Sequence, residues 1–192
     1  MTGRMTDKMI GGDAQTIALS AVIRNLHSID IEPVLVGGVA LVLLGSRRVT
    51  QDTDLVISAP ETLDDAKKLT GAMHQAGFMY VTRIKKGENP ASWIDNPNIA
   101  AARQQIDRPD TIFFWHPELK MKVDLMMDFP LKAADVLAAA ETVRLAGKPV
   151  KRASLEVLKK MKEIAVRERG DPRDIQDLAF INKKIREKAA HR

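Results

Sequence analysis

The segment from Val34 to Ile57 constrains the fold more than any other part of the chain. It runs VLVGGVALVLLGSRRVTQDTDLVI. Short apolar runs rich in β-branched residues stand at its two ends, Val34–Val36 and Leu55–Ile57, a pattern typical of strands that are buried on both faces. Between them, Gly37-Gly38 predicts a turn, and Val39–Leu44 predicts a short helix that a further glycine stops. The segment therefore predicts strand, glycine turn, short helix, basic loop and strand.

The second of these strands opens with two aspartates on one face. Only one residue separates Asp52 from Asp54, so their side chains project to the same side, about 6.6 Å apart along the strand. Two ionised carboxylates this close repel each other unless a cation lies between them. Magnesium suits such a pair, because it takes one or two protein carboxylates together with substrate phosphates. The glycine turn offers free backbone N–H groups to an anion, and the two features together predict a nucleoside triphosphate substrate.

At these residues the sequence resembles the polymerase-β-like nucleotidyltransferase superfamily. Its signature is similar to the pattern found here: Gly37-Gly38, then Val39, then a spacer of twelve residues, and then Asp52-x-Asp54. The longer run GGVALVLLGSRRVTQDTDL resembles the bacterial subgroup of abortive-infection (AbiEii-type) toxins, in which a Gly-x-Arg loop and a Ser or Thr precede the aspartate pair. Many relatives carry Ser or Thr directly after the two glycines, where a hydroxyl can contact phosphate. This chain has Val39 there, which leaves the backbone donors to serve that role.

The resemblance implies a nucleotidyltransferase fold of the α+β class, with a short mixed (α/β) β-sheet flanked by helices and a helical C-terminal extension. We expect the nucleotidyltransferase core at residues 1–152 and the extension, packed on that core, at residues 153–192. A length of 192 residues suits one domain with such an extension. Residues 85–110 form a long, proline-containing connection that fits either a substrate-binding flap or a plain surface excursion.

A third carboxylate interrupts an apolar strand. Thr111–His116 and Lys120–Met127 predict a hairpin, and Asp124 lies inside the second strand, where a carboxylate is costly unless it is paired or bound to metal. A neighbouring strand would place it about 5 Å from the aspartate pair. The resemblance implies a third acidic residue on a later strand, and Asp124 matches it. Asp128 is the alternative, but its place at the strand end before a proline favours a turn or cap.

The last third of the chain contains a lysine within an apolar stripe. Ser154 predicts the cap of a helix, LEVLKKMKEIAVRER, on which Lys162 shares a face with Leu155 and Leu158. A lysine in that position either extends its amine to solvent or meets a buried anion. The resemblance favours the anion, because a helix of the form Leu-x-x-x-Lys-x-x-Ala packs near the triphosphate in the superfamily.

A second C-terminal helix begins at Asp171-Pro172, a strong helix-start pattern. Its run Arg173-Asp174-Ile175-Gln176-Asp177-Leu178 resembles an Arg-Asp-x-x-Asp-Leu run in the abortive-infection toxins. Asp174 and Asp177 could serve as further metal ligands. Capping and ion pairing with Arg167 or Arg169 explain them more simply. The strongly basic tail from residue 182 to residue 192 is expected to fray.

The resemblance assigns roles to these residues. Asp52 and Asp54 would hold magnesium, and Asp124 would complete a second metal site and help to deprotonate the acceptor hydroxyl, so that two Mg²⁺ ions take part. Arg48 is favoured over Arg47 for phosphate, because it aligns with the arginine before Ser/Thr in the relatives. Thr50 would either anchor the loop or contact phosphate. The full set of candidates for phosphate binding is Gly37, Gly38, Arg47, Arg48, Thr50 and Lys162.

Composition excludes several classes of function. The chain contains no cysteine, which excludes disulfides and cysteine-based metal or nucleophile chemistry. Its apolar runs are too short to cross a membrane, and the polar N-terminal sequence MTGRMTDKMIGGD lacks the apolar core of a signal peptide, so we expect a cytoplasmic protein. Neither a Walker-type Gly-x-x-x-x-Gly-Lys-Ser/Thr run nor Gly-x-Gly-x-x-Gly occurs.

The sequence does not determine which class of molecule accepts the nucleotide. Enzymes of this superfamily modify tRNA ends, proteins or small hydroxylated molecules such as antibiotics. A net charge of +5 and the toxin resemblance favour RNA, with an antitoxin as protein partner. A non-catalytic relative that keeps the fold as a binding module is the other alternative. The three carboxylates argue against it, because unused paired carboxylates would only destabilise the fold.

Overall fold

The computed structural model of the chain describes residues 13–48, 50, 52–83, 90 and 92–190. Within these residues the chain forms seven helices and one sheet of eight strands. The helices are α1 (Asp13–His27), α2 (Gly37–Leu43), α3 (Leu63–Gln75), α4 (Pro97–Asp107), α5 (Ala133–Ala138), α6 (Leu155–Arg169) and α7 (Pro172–Ala190). The strands are β1 (Val34–Val36), β2 (Asp52–Ile57), β3 (Met79–Arg83), β4 (Ser92–Ile94), β5 (Thr111–His116), β6 (Met121–Met127), β7 (Glu141–Leu145) and β8 (Lys148–Arg152).

The sheet is mixed, as the sequence predicts. Its strand order is β4-β3-β5-β6-β2-β1-β8-β7. Strands β2 and β6 pair in parallel, as do β1 and β8, and the other neighbours are antiparallel. The two strands that carry the predicted carboxylates, β2 and β6, are therefore direct neighbours at the centre of the sheet, where both faces are covered.

Alternation along the strands divides the core into two layers. On one face, Leu55 and Leu125 belong to a buried cluster that includes residues of α1 and α3. On the opposite face, Val56 and partly buried Met126 pack with residues of α5, α6 and α7. Because side chains two residues apart share a face, the aspartates of β2 and β6 lie on the side of the C-terminal helices.

Local capping explains where several helices begin. The Thr62 hydroxyl accepts a hydrogen bond from the Asp65 backbone N–H, and the Asp65 carboxylate accepts one in return from the Thr62 backbone, which is a capping box at the start of α3. The Ser154 hydroxyl accepts from the Val157 N–H at the start of α6. The Asp171 carboxylate accepts from the Arg173 N–H before α7. The helix starts predicted from Ser154 and Asp171-Pro172 are confirmed.

Two predictions made from the sequence differ from the structure. Strand β4, which pairs with β3, was not expected within the connection at residues 85–110, of which residues 85–89 and 91 lie outside the described part of the chain. The expectation that the tail frays from residue 182 is wrong, because α7 continues to Ala190. Ile185 packs against the core beside buried Ile181, and the Lys188 Nζ lies 3.2 Å from the Glu141 Oε1. Apolar packing therefore holds a segment that its charge alone suggested would be loose.

Candidate active site

The three predicted carboxylates come together on one face of neighbouring strands. In the parallel pairing of β2 with β6, Asp54 lies opposite Asp124, and Asp52 lies opposite Lys122. The side chain of Asp52 is 62% exposed, whereas that of Asp124 is only 12% exposed. We call Asp52, Asp54, Asp124 and Lys122 the acid row. Its carboxylates were predicted from the sequence, and its lysine was missed.

Lys122 lies among the carboxylates as an internal cation. Its Nζ is 3.1 Å from the Asp124 Oδ2 and 3.9 Å from the Asp52 Oδ2. Burial alone would lower the pKa of Lys122, but the charges of Asp124 and Asp52 outweigh that effect and raise the pKa. Lys122 therefore stays charged. The alternation in Met-Lys-Val-Asp, which puts Lys122 on the face of Asp124, was the sequence signal that could have identified it.

Burial and mutual repulsion disfavour the charged forms of the Asp54 and Asp124 carboxyl groups. Burial raises the pKa of Asp124 to about 7, and the negative charge of Asp54 adds to the effect, while the Lys122 ammonium opposes it. Burial also raises the pKa of Asp54, which Lys122 lowers and the charge of Asp52 raises further. Desolvation disfavours the charged form of a carboxyl. One ammonium does not offset this cost, so this part of the sheet favours an added proton or an added cation.

The donor set of this pair fits a magnesium ion. The Asp124 Oδ1 is buried and has no hydrogen-bond partner among the described residues, which is unusual for a charged oxygen. Carboxylate oxygens are the hard ligands that magnesium prefers, and Asp54 and Asp124 would hold it. Within the described residues, no group of three or more acidic, histidine or cysteine side chains is placed to hold one ion. The expected convergence of all three aspartates on one metal stays a prediction.

The two glycines make room for the charged side chains around them. Gly37 has a φ of +57°, and a Cβ at this position would lie 1.9 Å from the Asp54 Oδ2. A Cβ at Gly38 would lie 2.7 Å from the Thr50 Oγ1 and 3.2 Å from the guanidinium carbon of Arg48. A side chain at either glycine would therefore require Asp54, Thr50 or Arg48 to shift. Gly37 and Gly38 are the first two residues of α2, so the predicted separate turn before the helix is wrong. Their lack of a side chain lets Asp54 and Arg48 approach the backbone.

A second group of charges joins the loop after α2 to the C-terminal helices. The Lys162 Nζ lies 2.7 Å from a carboxylate oxygen of Asp174 and 2.7 Å from one of Asp177. The Arg48 guanidinium donates to Asp177 at 2.5 Å, and the Arg169 guanidinium donates to Asp174 at 2.9 Å. We call these five residues the ion-pair cluster. Burial would raise the pKa of Asp174, but its hydrogen bonds and charge pairing with Lys162 and Arg169 lower the pKa overall.

The ion-pair cluster tests two expectations from the sequence. Lys162 meets buried anions, as expected, but these anions are carboxylates of the chain itself. The expected pairing of Asp174 with Arg169 is confirmed. Asp177 pairs with Arg48 and Lys162, a partnership across 129 and 15 residues of sequence that local patterns could not indicate. A contact of Lys162 or Arg48 with phosphate stays a prediction.

The remaining candidates take separate positions. The Thr50 hydroxyl donates to the Asp52 backbone carbonyl at 3.1 Å and so anchors the loop, while Arg47 is exposed. The Asp128 carboxylate accepts from the Ala133 N–H at 2.7 Å, at the start of α5, which confirms its expected cap role. His116, at the end of β5, was not among the candidates; it packs edge-on against the Phe78 ring and accepts from the Leu119 N–H, and its partial burial lowers its pKa.

A cavity of about 170 Å³ opens between the sheet and α6. Its apolar walls come from residues that include Met126, Phe129 and Met161, and Gly37 also lines it. Its charged lining residues are Asp54, Lys162, Glu168 and Arg169. A cavity with apolar sides and a few convergent charged groups is the usual setting of a small-molecule site. The acid row and the ion-pair cluster thus meet at one concave surface.

Comparison with solved structures identifies the fold of this chain. Over 90% of this chain and 84% of the other, the structure is similar to the solution structure of the antibiotic-resistance factor ANT(2'')-Ia, with a TM-score of 0.59 and 12% identity. The same factor in complex with adenylyl-2''-tobramycin matches with a TM-score of 0.56 and 13% identity over 90% of each chain. This chain has a nucleotidyltransferase fold. No protein-family model matches the sequence, and no curated protein does.

A third solved structure is also similar to this chain. The lincosamide antibiotic adenylyltransferase LnuA, with lincomycin bound, matches with a TM-score of 0.51 and 12% identity over 86% of this chain and 95% of the other. The expected fold class is therefore confirmed, whereas the AbiEii-type subgroup stays a prediction. In the part of the chain that the structure describes, no helix is long and apolar enough to cross a membrane.

Proposed function

We propose that the chain is a magnesium-dependent nucleotidyltransferase that moves a nucleoside monophosphate from a nucleoside triphosphate to a hydroxyl acceptor. The observation that carries the proposal is the register of Asp54 with Asp124 beside Gly37, at the edge of a cavity in a nucleotidyltransferase fold. Buried, mutually repelling carboxylates are costly to keep, and a site that uses them to hold a metal–triphosphate complex explains their presence.

Magnesium, when bound, would neutralise triphosphate charge and activate the α-phosphorus for in-line attack. The proposed ligands are Asp54 and Asp124, with the more exposed Asp52 as a further candidate. The side chains of Arg48 and Lys162, with exposed Arg47 nearby, would neutralise the phosphates. The ion-pair cluster has three cations and two carboxylates, so one positive charge is not balanced within it and is available to an anion. Backbone N–H groups of Gly37 and Gly38 would donate to the β- and γ-phosphates, and Thr50 would hold the loop in place.

In the proposed reaction, the acceptor oxygen forms a bond to the α-phosphorus. The bond between the α-phosphorus and the oxygen that bridges it to the β-phosphate breaks, and pyrophosphate leaves with that electron pair. The acceptor hydroxyl gives its proton to the Asp124 carboxylate. Asp124 is the proposed base because it lies on β6 directly opposite Asp54, beside the position proposed for the triphosphate.

The proposed acceptor is RNA, with tRNA as the first candidate, and the role is that of a toxin in a toxin–antitoxin pair. The net charge of +5 and the AbiEii-type resemblance of residues 37–55 support this proposal. A small hydroxylated molecule is the second candidate, since ANT(2'')-Ia and LnuA are an antibiotic-resistance factor and an antibiotic adenylyltransferase. A protein acceptor and a non-catalytic binding module are the remaining alternatives.

The test is transfer of label from each α-³²P-labelled nucleoside triphosphate in the presence of magnesium. Parallel reactions contain total tRNA, an aminoglycoside, a lincosamide, or the protein alone. Label on RNA supports the toxin proposal, label on an antibiotic supports the second candidate, and label on the protein indicates self-modification. Absence of transfer from all four triphosphates, together with absence of metal binding, would leave only the binding module.

A further inference from the structure

Lys122 is the one member of the acid row that neither the superfamily resemblance nor the proposed chemistry uses. It lies on β6 opposite Asp52 and two residues before Asp124, so its side chain shares their face. Its ammonium contacts the Asp124 Oδ2 at 3.1 Å and lies 3.9 Å from the Asp52 Oδ2. The ammonium therefore occupies a position between two carboxylates that the proposed function assigns to metal.

A third contact supports the same position. The Lys122 Nζ lies 5.6 Å from the centroid of the Phe113 ring, within the range of a cation–π interaction. Phe113 is on β5 directly opposite Asp124. Only 24% of the Lys122 side chain is exposed. An exposed surface lysine keeps most of its rotamer freedom, whereas this one is held by two carboxylates and an aromatic ring.

Charge balance limits what else the acid row can bind. Three carboxylates and one ammonium sum to a formal charge of −2 when all are ionised, which one divalent ion neutralises. A second divalent ion between Asp52 and Asp124 would lie in contact with the ammonium, and like charges at that distance repel strongly in a partly desolvated site. The Asp124 Oδ1, which has no partner among the described residues, remains for the first ion.

We propose that Lys122 is a resident counter-ion that takes one of the two cation positions implied for this fold. The acid row then binds one divalent ion, through Asp54 and Asp124, rather than two. The proposal rests on the proposed function, because it concerns the metal of the same site. Lys122 acts here as a positioning residue that fixes the Asp124 carboxylate and sets the number of ions.

The experiment counts the Mn²⁺ ions bound per chain at saturation, from the electron paramagnetic resonance signal of free Mn²⁺, at fixed pH and ionic strength. The wild-type protein is expected to bind one ion and Lys122→Met to bind two. Lys122→Arg, which keeps the positive charge, is expected to bind one. Lys120→Met is the matched control, because it removes the same charge from an exposed residue just before β6; it is also expected to bind one.

The proposal would be overturned if the wild-type protein bound two ions or none. It would also be overturned if the wild type and Lys122→Met each bound one ion. If Lys122→Met does not fold, the wild-type and Lys122→Arg counts still decide, since two ions in either would contradict it. The outcome is separable from that of the proposed function. One bound ion without nucleotidyl transfer would refute the function alone, and transfer with two bound ions would refute only the role of Lys122.

Discussion

The acid row and the ion-pair cluster lie on the same side of the sheet and carry opposite imbalances of charge. In the acid row, three carboxylates share one ammonium, and burial raises the pKa of both Asp54 and Asp124. In the ion-pair cluster, two carboxylates share three cations, and the hydrogen bonds of Lys162 and Arg169 lower the pKa of Asp174. The side chains of Asp124 and Asp174 are exposed to similar small extents, 12% and 7%, yet their pKa values shift in opposite directions, because two cations pair with Asp174 and one with Asp124.

The difference in charge balance explains how one surface could bind a metal–triphosphate complex. An excess of carboxylates attracts a cation, and an excess of cations attracts phosphate. Gly37 and Gly38 lie between the two regions and touch both, since Asp54 packs on the first and Arg48 on the second. Substitutions that change one region at a time separate the two contributions.

The largest effect is expected for Asp54→Asn. The variant removes one of two carboxylates proposed to hold magnesium, and transfer of label should fall by roughly 10³-fold, which corresponds to about 4 kcal/mol of transition-state free energy. Asp64→Asn is the matched control, because Asp64 is an exposed aspartate on α3. Activity close to that of the wild type is expected for the control, because Asp64 lies outside the acid row. An equal loss in both variants would show that the effect is not specific to the acid row.

The acid row should make the protein less stable as the pH rises. Folding raises the pKa of Asp124 from 3.8 to about 7, so between these values the folded state binds more protons than the unfolded state, and the free energy of unfolding falls with rising pH. The upper limit of this loss is about 4 kcal/mol. Urea unfolding without divalent metal at several pH values measures it. Asp124→Asn should flatten the pH dependence, and an unchanged slope in that variant would contradict the assignment.

A side chain at Gly37 should disturb the acid row directly. Gly37→Ala places a Cβ 1.9 Å from the Asp54 Oδ2 at a φ of +57°, and we expect a loss of about 3 kcal/mol in the free energy of unfolding, from overlap and backbone strain together. Gly45→Ala separates the two causes. Gly45 has a φ of +90° but nothing within 4 Å of its Cβ position, so strain alone should cost about 1 kcal/mol. Equal losses in both variants would mean that contact with Asp54 does not matter.

The smallest effect is expected in the ion-pair cluster. Asp174→Asn weakens the bonds from Lys162 and Arg169, which should lower the free energy of unfolding at neutral pH by about 1–2 kcal/mol. Because folding lowers the pKa of Asp174, its contribution is present above the unfolded pKa and is lost as the pH falls through the folded pKa. The difference between wild type and variant should therefore shrink in acid, opposite to the behaviour of Asp124. A difference that grows in acid would contradict the pairing.

Local patterns were sufficient for most of the fold. The apolar runs at Val34–Val36 and Thr111–His116 form the predicted strands, and Ser154 caps the predicted helix, because these elements depend on burial periodicity and side-chain capping within a few residues. Strand β4 was missed, since it has only three residues and lies in a proline-containing connection. The end of α7 was missed because contacts with β7, far away in sequence, support it.

The carboxylates of the acid row could be predicted from the sequence, whereas the pairing in the ion-pair cluster could not. Alternation along β2 and β6, with the resemblance, was enough to expect Asp52, Asp54 and Asp124 on one face. Alternation also places Lys122 on the face of Asp124, but its position opposite Asp52 depends on the register of β6 with β2, which the whole sheet sets. The partners of Lys162 depend on how α7 packs against α6, which no local pattern in either helix specifies.

The most direct measurement is the anomalous scattering of Mn²⁺ in crystals of the protein with a non-hydrolysable nucleoside triphosphate analogue. We predict one anomalous peak, bonded to carboxylate oxygens of Asp54 and Asp124, with the triphosphate between Gly37-Gly38 and the ion-pair cluster. A peak away from the acid row, or a triphosphate bound elsewhere on the protein, would contradict the proposed active site.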